Sequence, residues 1–317
     1  MSQHNRKYLA LSGGVGGAKL AVGLAAALRP EQLTIVANTA DDFEHLGLHI
    51  SPDLDSVMYA LAGIDDPSRG WGLADETWAF MEAVDRLGGE TWFRLGDKDV
   101  ATHVLRSQAL CAGSRLSDVT ASLCRQLGVA QRLLPMSDDA VRTRVRTDEG
   151  VLPFQDYFVR RRCEPNVSGF EFDGIDSARP QTDFVQMLTD PALAGIVICP
   201  SNPFVSIEPI LGLPGVRSAI AASPAPVIAV SPIIGGRALK GPAAKMMAEL
   251  GRPVNALSVA ECYRELVDTF VVDRVDDEMC ERIEALGIRT VAESTVMRSL
   301  EDKVSLAHRI IERLEES

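Results

Sequence analysis

Residues 8–20 read Y-L-A-L-S-G-G-V-G-G-A-K-L and restrict the fold more than any other part of the chain. Four apolar residues run into a loop with four glycines in five positions, and alanines and leucines then recur at helical spacing as far as Leu28. The pattern predicts a strand over 8–11 and a helix over 18–28. A strand that breaks into a glycine turn and restarts as a helix is suited to holding an anion. Bare backbone N–H groups point at it, with the positive end of the helix dipole behind them. Glycine lets the main chain approach an oxygen without Cβ interference. The expected ligand is a phosphate or diphosphate held by Ser12, Gly13, Gly14, Gly16 and Gly17. The spacing is neither a Walker loop nor G-x-G-x-x-G, so a tight structural turn stays open beside the phosphate reading.

A second continuously apolar segment, L-T-I-V-A at 33–37, reads as a buried parallel strand. Two β-units so close together predict a doubly wound sheet with ligands at the carboxyl ends of its strands. Helices are expected over 56–62, 76–87, 100–111 and 116–127, with a strand end near 92–99. Over 141–147 valine and threonine alternate with Arg142, Arg144 and Arg146, which predicts a strand with one basic face, and Asp148-Glu149-Gly150 reads as a hairpin turn. Buried strands are expected again at 195–199, 226–230, 269–272 and 288–291. Helices are expected over 243–250, from a capping box of Ser258 and Glu261, over 276–286, and from 299 onward. The fold class is α/β, Rossmann-like, doubly wound and mostly parallel. Residues 1–132 and 183–317 form the nucleotide-binding domain, and 133–182 are a smaller α+β insertion on the substrate side.

At 317 residues with a formal net charge of −12, the chain has no basic stripe for nucleic acid and is ill-suited to an acidic membrane surface. Phosphate binding must then use backbone dipoles, a few basic residues or a divalent cation. Six scattered cysteines without a C-x-x-C pair read as reduced core residues. No apolar run approaches the roughly 18 residues of a membrane span, and the N-terminus has no apolar signal region. A cytoplasmic protein is expected.

The carboxylates Asp41, Asp42, Asp53 and Asp55 crowd two loops after the second strand. Beside a phosphate they would repel it unless a hard cation lies between, and magnesium takes one or two carboxylates plus phosphate oxygens. Asp55 could also cap the helix that follows. Arg94 and Lys98 flank L-G-D. Ser201, Asn202 and Pro203 offer a hydroxyl, an amide and a stiff backbone at a strand end. The run S-P-I-I-G-G-R-A-L-K-G-P at 231–242, with Gly235, Gly236 and Lys240, repeats the strand-to-glycine logic as a second phosphate cradle. Arg160, Arg161 and Arg162 read as a solvated or ion-paired face, and His45, His49 and His103 as structural or exposed.

Six motifs in order, S-G-G-V-G-G-A-K-L, N-T-A-D-D, S-P-D-L-D-S-V-M-Y, F-R-L-G-D-K-D, C-P-S-N-P and S-P-I-I-G-G-R-A-L-K-G-P, closely resemble the CofD family, the 2-phospho-L-lactate transferases of coenzyme F420 biosynthesis. The resemblance spans about residues 7–310. It implies transfer of a phosphorylated three-carbon acid (2-phospho-L-lactate, phosphoenolpyruvate or 3-phosphoglycerate) from a guanosine diphosphate-linked donor to the ribityl hydroxyl of the deazaflavin Fo. GMP leaves, and Mg²⁺ is required. Carried onto this chain, it places Asp55 and Arg94 at Fo, with Asp97 and Lys98 beside them, and Gly13 to Gly17, Ser201 to Pro203 and Lys240 with its glycines at the donor's phosphates and nucleotide. Asp42 and Asp55 are the carboxylates chosen for the metal and for catalysis. A homodimer is the expected assembly. Two other readings stay beside this one: a non-enzymatic nucleotide-sugar-binding regulator of the gluconeogenesis-factor type, and a dinucleotide-dependent dehydrogenase.

Overall fold

The first strand, β1 (Lys7–Ser12), is apolar on both sides of its pleat and accordingly lies inside the central sheet. The computed structural model describes residues 6–316. After β1 come α1 (Gly14–Ala27), β2 (Leu33–Ala37) and a small hairpin of β3 (Phe43–His45) and β4 (Leu48–Ile50). Helices α2 (Pro52–Ala62), α3 (Ala79–Arg86), α4 (Asp97–Cys111) and α5 (Leu116–Gln126) lead to β5 (Arg132–Pro135). Three strands follow, β6 (Arg142–Thr147), β7 (Gly150–Pro153) and β8 (Val167–Asp173), then α6 (Thr182–Leu188) and β9 (Leu193–Ile198). The next elements are α7 (Glu208–Leu211), α8 (Val216–Ala222), β10 (Val227–Val230), β11 (Ile233–Ile234), β12 (Arg237–Ala238), α9 (Ala243–Glu249) and α10 (Ala256–Cys262). The chain ends with β13 (Thr269–Asp273), α11 (Cys280–Glu284), β14 (Arg289–Glu293) and α12 (Leu300–Glu316).

Seven strands form one sheet in the order β14-β13-β10-β9-β1-β2-β5, and every pairing in it is parallel. This is the doubly wound arrangement expected. The chain leaves β1 in one direction, through β2 to β5, and returns as β9 on its other side, which makes β1/β9 the switch point where such sheets bind ligands. Leu9, Leu11, Ile196 and Ile198 face one layer of helices, while Tyr8, Ala10 and Val197 face the other.

Within 133–182, β6 pairs antiparallel with both β7 and β8. Val141, Thr143 and Val145 are buried; on the basic face Arg144 lies 2.6 Å from Asp173 and Arg146 3.5 Å from Glu171, while Arg142 donates to the Val141 carbonyl. Residues 133–135, counted with the insertion, instead form most of β5, an edge strand of the large sheet on β2. Four residues at an edge carry too little pattern to be assigned from sequence. The small sheet presses on the loop after β2: the Thr143 amide donates to the Ala40 carbonyl at 2.7 Å, and Gln155 Nε2 donates to the Asp41 carbonyl at 3.3 Å.

Two expectations change locally. The cap of α10 is Asn255, whose side chain accepts from the Ser258 amide at 2.9 Å, so Ser258 lies within the helix. The helix expected over 276–286 is a 3-10 turn at Arg274–Met279 followed by α11, because Asp276 leaves helical geometry and its carboxylate accepts from the Gly235 amide. All six cysteines are free. Among the described residues no single helix is long and apolar enough to cross a membrane.

Candidate active site

The carboxyl ends of the central strands open into a cavity of about 610 Å³. Its floor is Gly13, Gly14 and Gly16 after β1, Asp41 after β2, and Pro200, Ser201 and Asn202 after β9. Asp53 and Ser56 of α2 form one side, and Lys240, Gly241 and Pro242 another.

Helix α1 begins at Gly14, four residues earlier than its sequence suggests, with Gly13 as an extended N-cap. The glycine loop is therefore the first turn of the helix. A Cβ on Gly16 would lie 2.3 Å from the Pro200 carbonyl oxygen, and one on Gly13 2.5 Å from Ser206 Cβ. Gly14 has a φ of +63°. Close approach of the loops after β1 and β9 thus requires the glycines, whatever binds above them. The Gly14 amide donates to Asp53 Oδ1 at 2.8 Å, and the Gly13 amide to Ser201 Oγ at 3.0 Å. The anion at this helix terminus is one of the chain's own carboxylates. The amides of Val15 and Gly16, beyond reach of any intrahelical carbonyl, are left for a ligand.

Asp53 Oδ2 accepts from Asn38 Nδ2 at 3.0 Å. Asp41 also lines the cavity, and its Oδ1 is buried without a hydrogen-bond partner among the described residues. Burial raises both carboxyls; the charge of Asp53 adds to the effect on Asp41, and that of Asp42 to both. A pair of carboxyls disfavoured in their charged form, one with an orphaned oxygen, fits the donor set that Mg²⁺ shares with phosphate oxygens. Among the described residues no group of three or more His, Cys, Asp or Glu could hold a metal unaided. A cation here would draw its remaining ligands from substrate and water.

Asp42 and Asp55, the pair expected at the metal, are not among the cavity's lining residues, although Asp42 Oδ1, like Asp41 Oδ1, is buried without a hydrogen-bond partner among the described residues. Asp42 Oδ2 accepts from Ser51 Oγ at 2.8 Å and lies 3.1 Å from His49 Nε2. Asp55 is gripped by both terminal nitrogens of Arg106, with Nη1 3.0 Å from Oδ2. The cause is helix phase. Because α2 starts at Pro52, Asp53 and Asp55 are two residues apart on a helix and cannot share a face.

No strand runs through 92–99. Instead, Glu76 accepts from the amides of Lys98 and Asp99 at 2.8 and 2.9 Å, capping α4. Asp97 accepts from Thr77 Oγ1 at 2.6 Å and from the amides of Ala79 and Phe80 at 3.1 and 2.9 Å, capping α3. Lys98 Nζ donates to the Ala74 carbonyl at 3.0 Å. Asp97 and Lys98, expected at Fo, are thus occupied in joining two helices, and the cavity takes Phe93 and Arg94 from this motif. The Arg94 guanidinium lies 4.3 Å from the centre of the Trp78 ring.

The second glycine cradle also resolves into structure. Gly235 and Gly236, with φ of +55° and +72°, are the two-residue turn of the β11–β12 hairpin. The lining comes from Lys240 and its neighbours. Ser12 and Pro203 are buried beneath the floor, and a Cβ on Gly17 would meet Ser12 Oγ and Ser201 Oγ at 2.5 Å.

Sequence reasoning missed Lys19, Arg69 and Trp71, which line the cavity. It also passed over Trp92, Phe154 and Phe158 as lining residues. Lys19 follows from the earlier start of α1, one turn after Val15 and Gly16. Of the arginine triple, Arg161 is paired with Glu149, whereas Arg162 lines the cavity from a left-handed backbone of φ +50°. In a chain with 5% aromatic residues, two of three tryptophans gather here beside five cavity-lining arginines and lysines. Flat rings and localised positive charge suit a ligand that is part planar and part anionic.

The chain matches the family described as 2-phospho-L-lactate transferase CofD over residues 9–307. It is 42% identical over 308 residues to a phosphoenolpyruvate transferase of Kitasatospora aureofaciens, covering 95% of each chain. It is 40% identical over 303 residues to a 2-phospho-L-lactate transferase of Methanosarcina mazei, covering 95% of this chain and 98% of that one. A crystal structure of a UPF0052 family member from Bacillus halodurans superposes with a TM-score of 0.63 at 16% identity, covering 96% of this chain and 98% of that one, and supports the fold alone. The likeness to transferases runs nearly end to end, and the chain belongs to the CofD family.

Proposed function

We propose that this chain is the transferase that moves a phosphorylated three-carbon acid from a guanosine diphosphate-linked donor to the deazaflavin Fo in coenzyme F420 biosynthesis, releasing GMP. Family membership supports the transfer. One observation carries the assignment to this cavity: two buried carboxylates, first-turn amides, Lys19 and Lys240, and a set of aromatic rings open into the same space. In this reading the Val15 and Gly16 amides, Lys19 and Lys240 hold phosphate oxygens. The tryptophans and Phe93 stack on flat rings, and Arg94 and Arg162 bind anionic or carbonyl oxygens.

Attack of an alcohol on a diphosphate asks the protein mainly for alignment and charge neutralisation. Mg²⁺, when bound by Asp41 and Asp53, would supply a positive charge to the developing phosphate oxygens. The catalytic and metal roles expected of Asp42 and Asp55 pass in this proposal to Asp41 and Asp53. The glycine loop keeps Asp53 in place through the Gly14 amide. A homodimer in the cytoplasm belongs to the same reading; light scattering of the purified protein tests the dimer, and fractionation of the source cells tests the location.

The fold likeness to the UPF0052 family member, at 16% identity, says nothing of activity and does not favour the regulator reading. The experiment is incubation of the protein with Fo, Mg²⁺ and, separately, guanosine diphosphate-linked 2-phospholactate, phosphoenolpyruvate or 3-phosphoglycerate. Mass spectrometry should find a phosphodiester of Fo and equimolar GMP with at least one donor, which also identifies the acid. No product with any of the three overturns the proposal.

A further inference from the structure

Behind the cavity wall lies a buried polar array that the proposed reaction does not touch. Its centre is Arg106 of α4, 1% exposed. Both terminal nitrogens hold Asp55, and Nη1 also lies 3.3 Å from His103 Nδ1 and 3.5 Å from the His49 carbonyl oxygen. His103 Nε2 is 3.2 Å from Asp99 Oδ1, which accepts the Tyr59 hydroxyl at 2.6 Å. On the other side the His49 amide donates to Ser107 Oγ at 2.7 Å, and the His49 ring joins Ser51 on Asp42. The array therefore grips α2 at Asp55, two residues from Asp53. It also grips the β3–β4 hairpin at His49, whose ring reaches Asp42, the neighbour of Asp41.

A buried ion pair adds little stability over apolar residues of the same volume. What a guanidinium fork does supply is direction, since two parallel N–H donors on one carboxylate fix its plane. Here the plane of Asp55 fixes the rotation of α2, and with it the face that carries Asp53. Arg106 itself does not line the cavity.

We propose that Arg106 is a positioning residue for the cation-binding pair: by holding Asp55 and the His49 backbone together, it sets Asp53 on α2 against Asp41 on the loop after β2. The inference rests on the reading that Asp41 and Asp53 hold Mg²⁺, and its test keeps the two separable. The variant is Arg106→Lys, which retains the charge and loses the fork. Mn²⁺ binding in the presence of GDP is followed by electron paramagnetic resonance, alongside the Mg²⁺ concentration for half-maximal turnover, the KM for Fo and thermal unfolding. Mn²⁺ affinity should fall about 10–100-fold, as for other residues that orient metal ligands. The Mg²⁺ midpoint should rise in step, with the KM for Fo unchanged.

A structural role alone would lower the melting temperature and the active fraction while the surviving enzyme keeps the wild-type Mn²⁺ affinity and Mg²⁺ midpoint. That result overturns the inference. Asp53→Asn, measured in parallel, should abolish Mn²⁺ binding; if it binds Mn²⁺ like wild type, the metal reading fails and this inference with it. If Arg106→Lys does not fold, the neutral double variant Arg106→Gln with Asp55→Asn carries the same measurements. Failure of both to fold assigns Arg106 to folding and likewise overturns the proposal.

Discussion

Replacing Asp53 by Asn should separate stability from activity. Each carboxylate oxygen faces one donor, the Gly14 amide at 2.8 Å and Asn38 Nδ2 at 3.0 Å. An Asn side chain can accept from one of them, and its NH₂ then opposes the other. A buried donor left unpaired costs about 1–3 kcal/mol. Against this stands the removal of a buried charge. Burial raises the Asp53 carboxyl to about 6; the Asn38 and Gly14 hydrogen bonds pull it down, and the charge of Asp42 pushes it up. From the ordinary 3.8, that rise makes the ionised form cost on the order of 3 kcal/mol at neutral pH in metal-free protein.

The sign follows from the direction. A carboxyl raised by folding contributes stability that is fully present below its ordinary value and is lost as pH climbs through the raised one. The Asn variant should lack that loss. The two terms nearly cancel, so in EDTA at neutral pH Asp53→Asn should melt within several degrees of wild type, at roughly 2–4 °C per kcal/mol. Turnover should fall by about 10³ or more, equivalent to roughly 4 kcal/mol. Calorimetry in EDTA and in Mg²⁺ plus GDP, across pH 5 to 8, should show the metal-dependent gain in melting temperature for wild type alone. Mg²⁺-dependent turnover within about tenfold of wild type, or a metal-free melting temperature lower by more than about 10 °C, would refute the reasoning.

Gly16→Ala should destabilise the protein although alanine favours helix by about 1 kcal/mol, because its Cβ would sit 2.3 Å from the Pro200 carbonyl oxygen. A net loss of about 1–3 kcal/mol is expected, and thermal unfolding at or above the wild-type temperature would remove the close-approach argument. Asp97→Ala should cost about 1–2 kcal/mol through loss of the α3 cap while turnover at saturating Fo stays unchanged; reduced turnover with undiminished stability would restore Asp97 to the substrate. Alkylation at neutral pH followed by peptide mapping should label exposed Cys111 and leave Cys124 and Cys199 unmodified until the protein is denatured, since burial pushes the Cys124 thiol up to about 12 and that of Cys199 further. Early labelling of either buried thiol would contradict the packing of the sheet.

Much of the sheet could be read from the chain because a strand buried on both faces leaves a continuous apolar run, as at 33–37 and 195–199. β5 was harder to place, being four residues long at an edge. The site was legible as a region: glycines, acidic pairs and basic residues do converge at the strand ends. The individual members were less so. Reading α1 from Ala18 hid Lys19, because glycines do not announce a helical turn. L-G-D-K-D looked like a ligand-binding segment, yet its Asp97 caps α3 and its amides are themselves capped by Glu76 at the start of α4. G-G at 235–236 looked like a cradle and is a hairpin turn.

The amino-acid order determined the α/β class, the placement of ligands at the carboxyl ends of the strands, the family and the stock of anion- and cation-binding groups, because these depend on periodicity and composition over many residues. Only the tertiary structure decided which carboxylates face the cavity. Asp53 and Asp55 are alike as residues and differ by where α2 begins and by Arg106, fifty-one positions beyond Asp55, waiting on another helix. Helix phase and a long-range ion pair are properties of the packed chain, and they assign one aspartate to the ligand space and the other to the wall behind it.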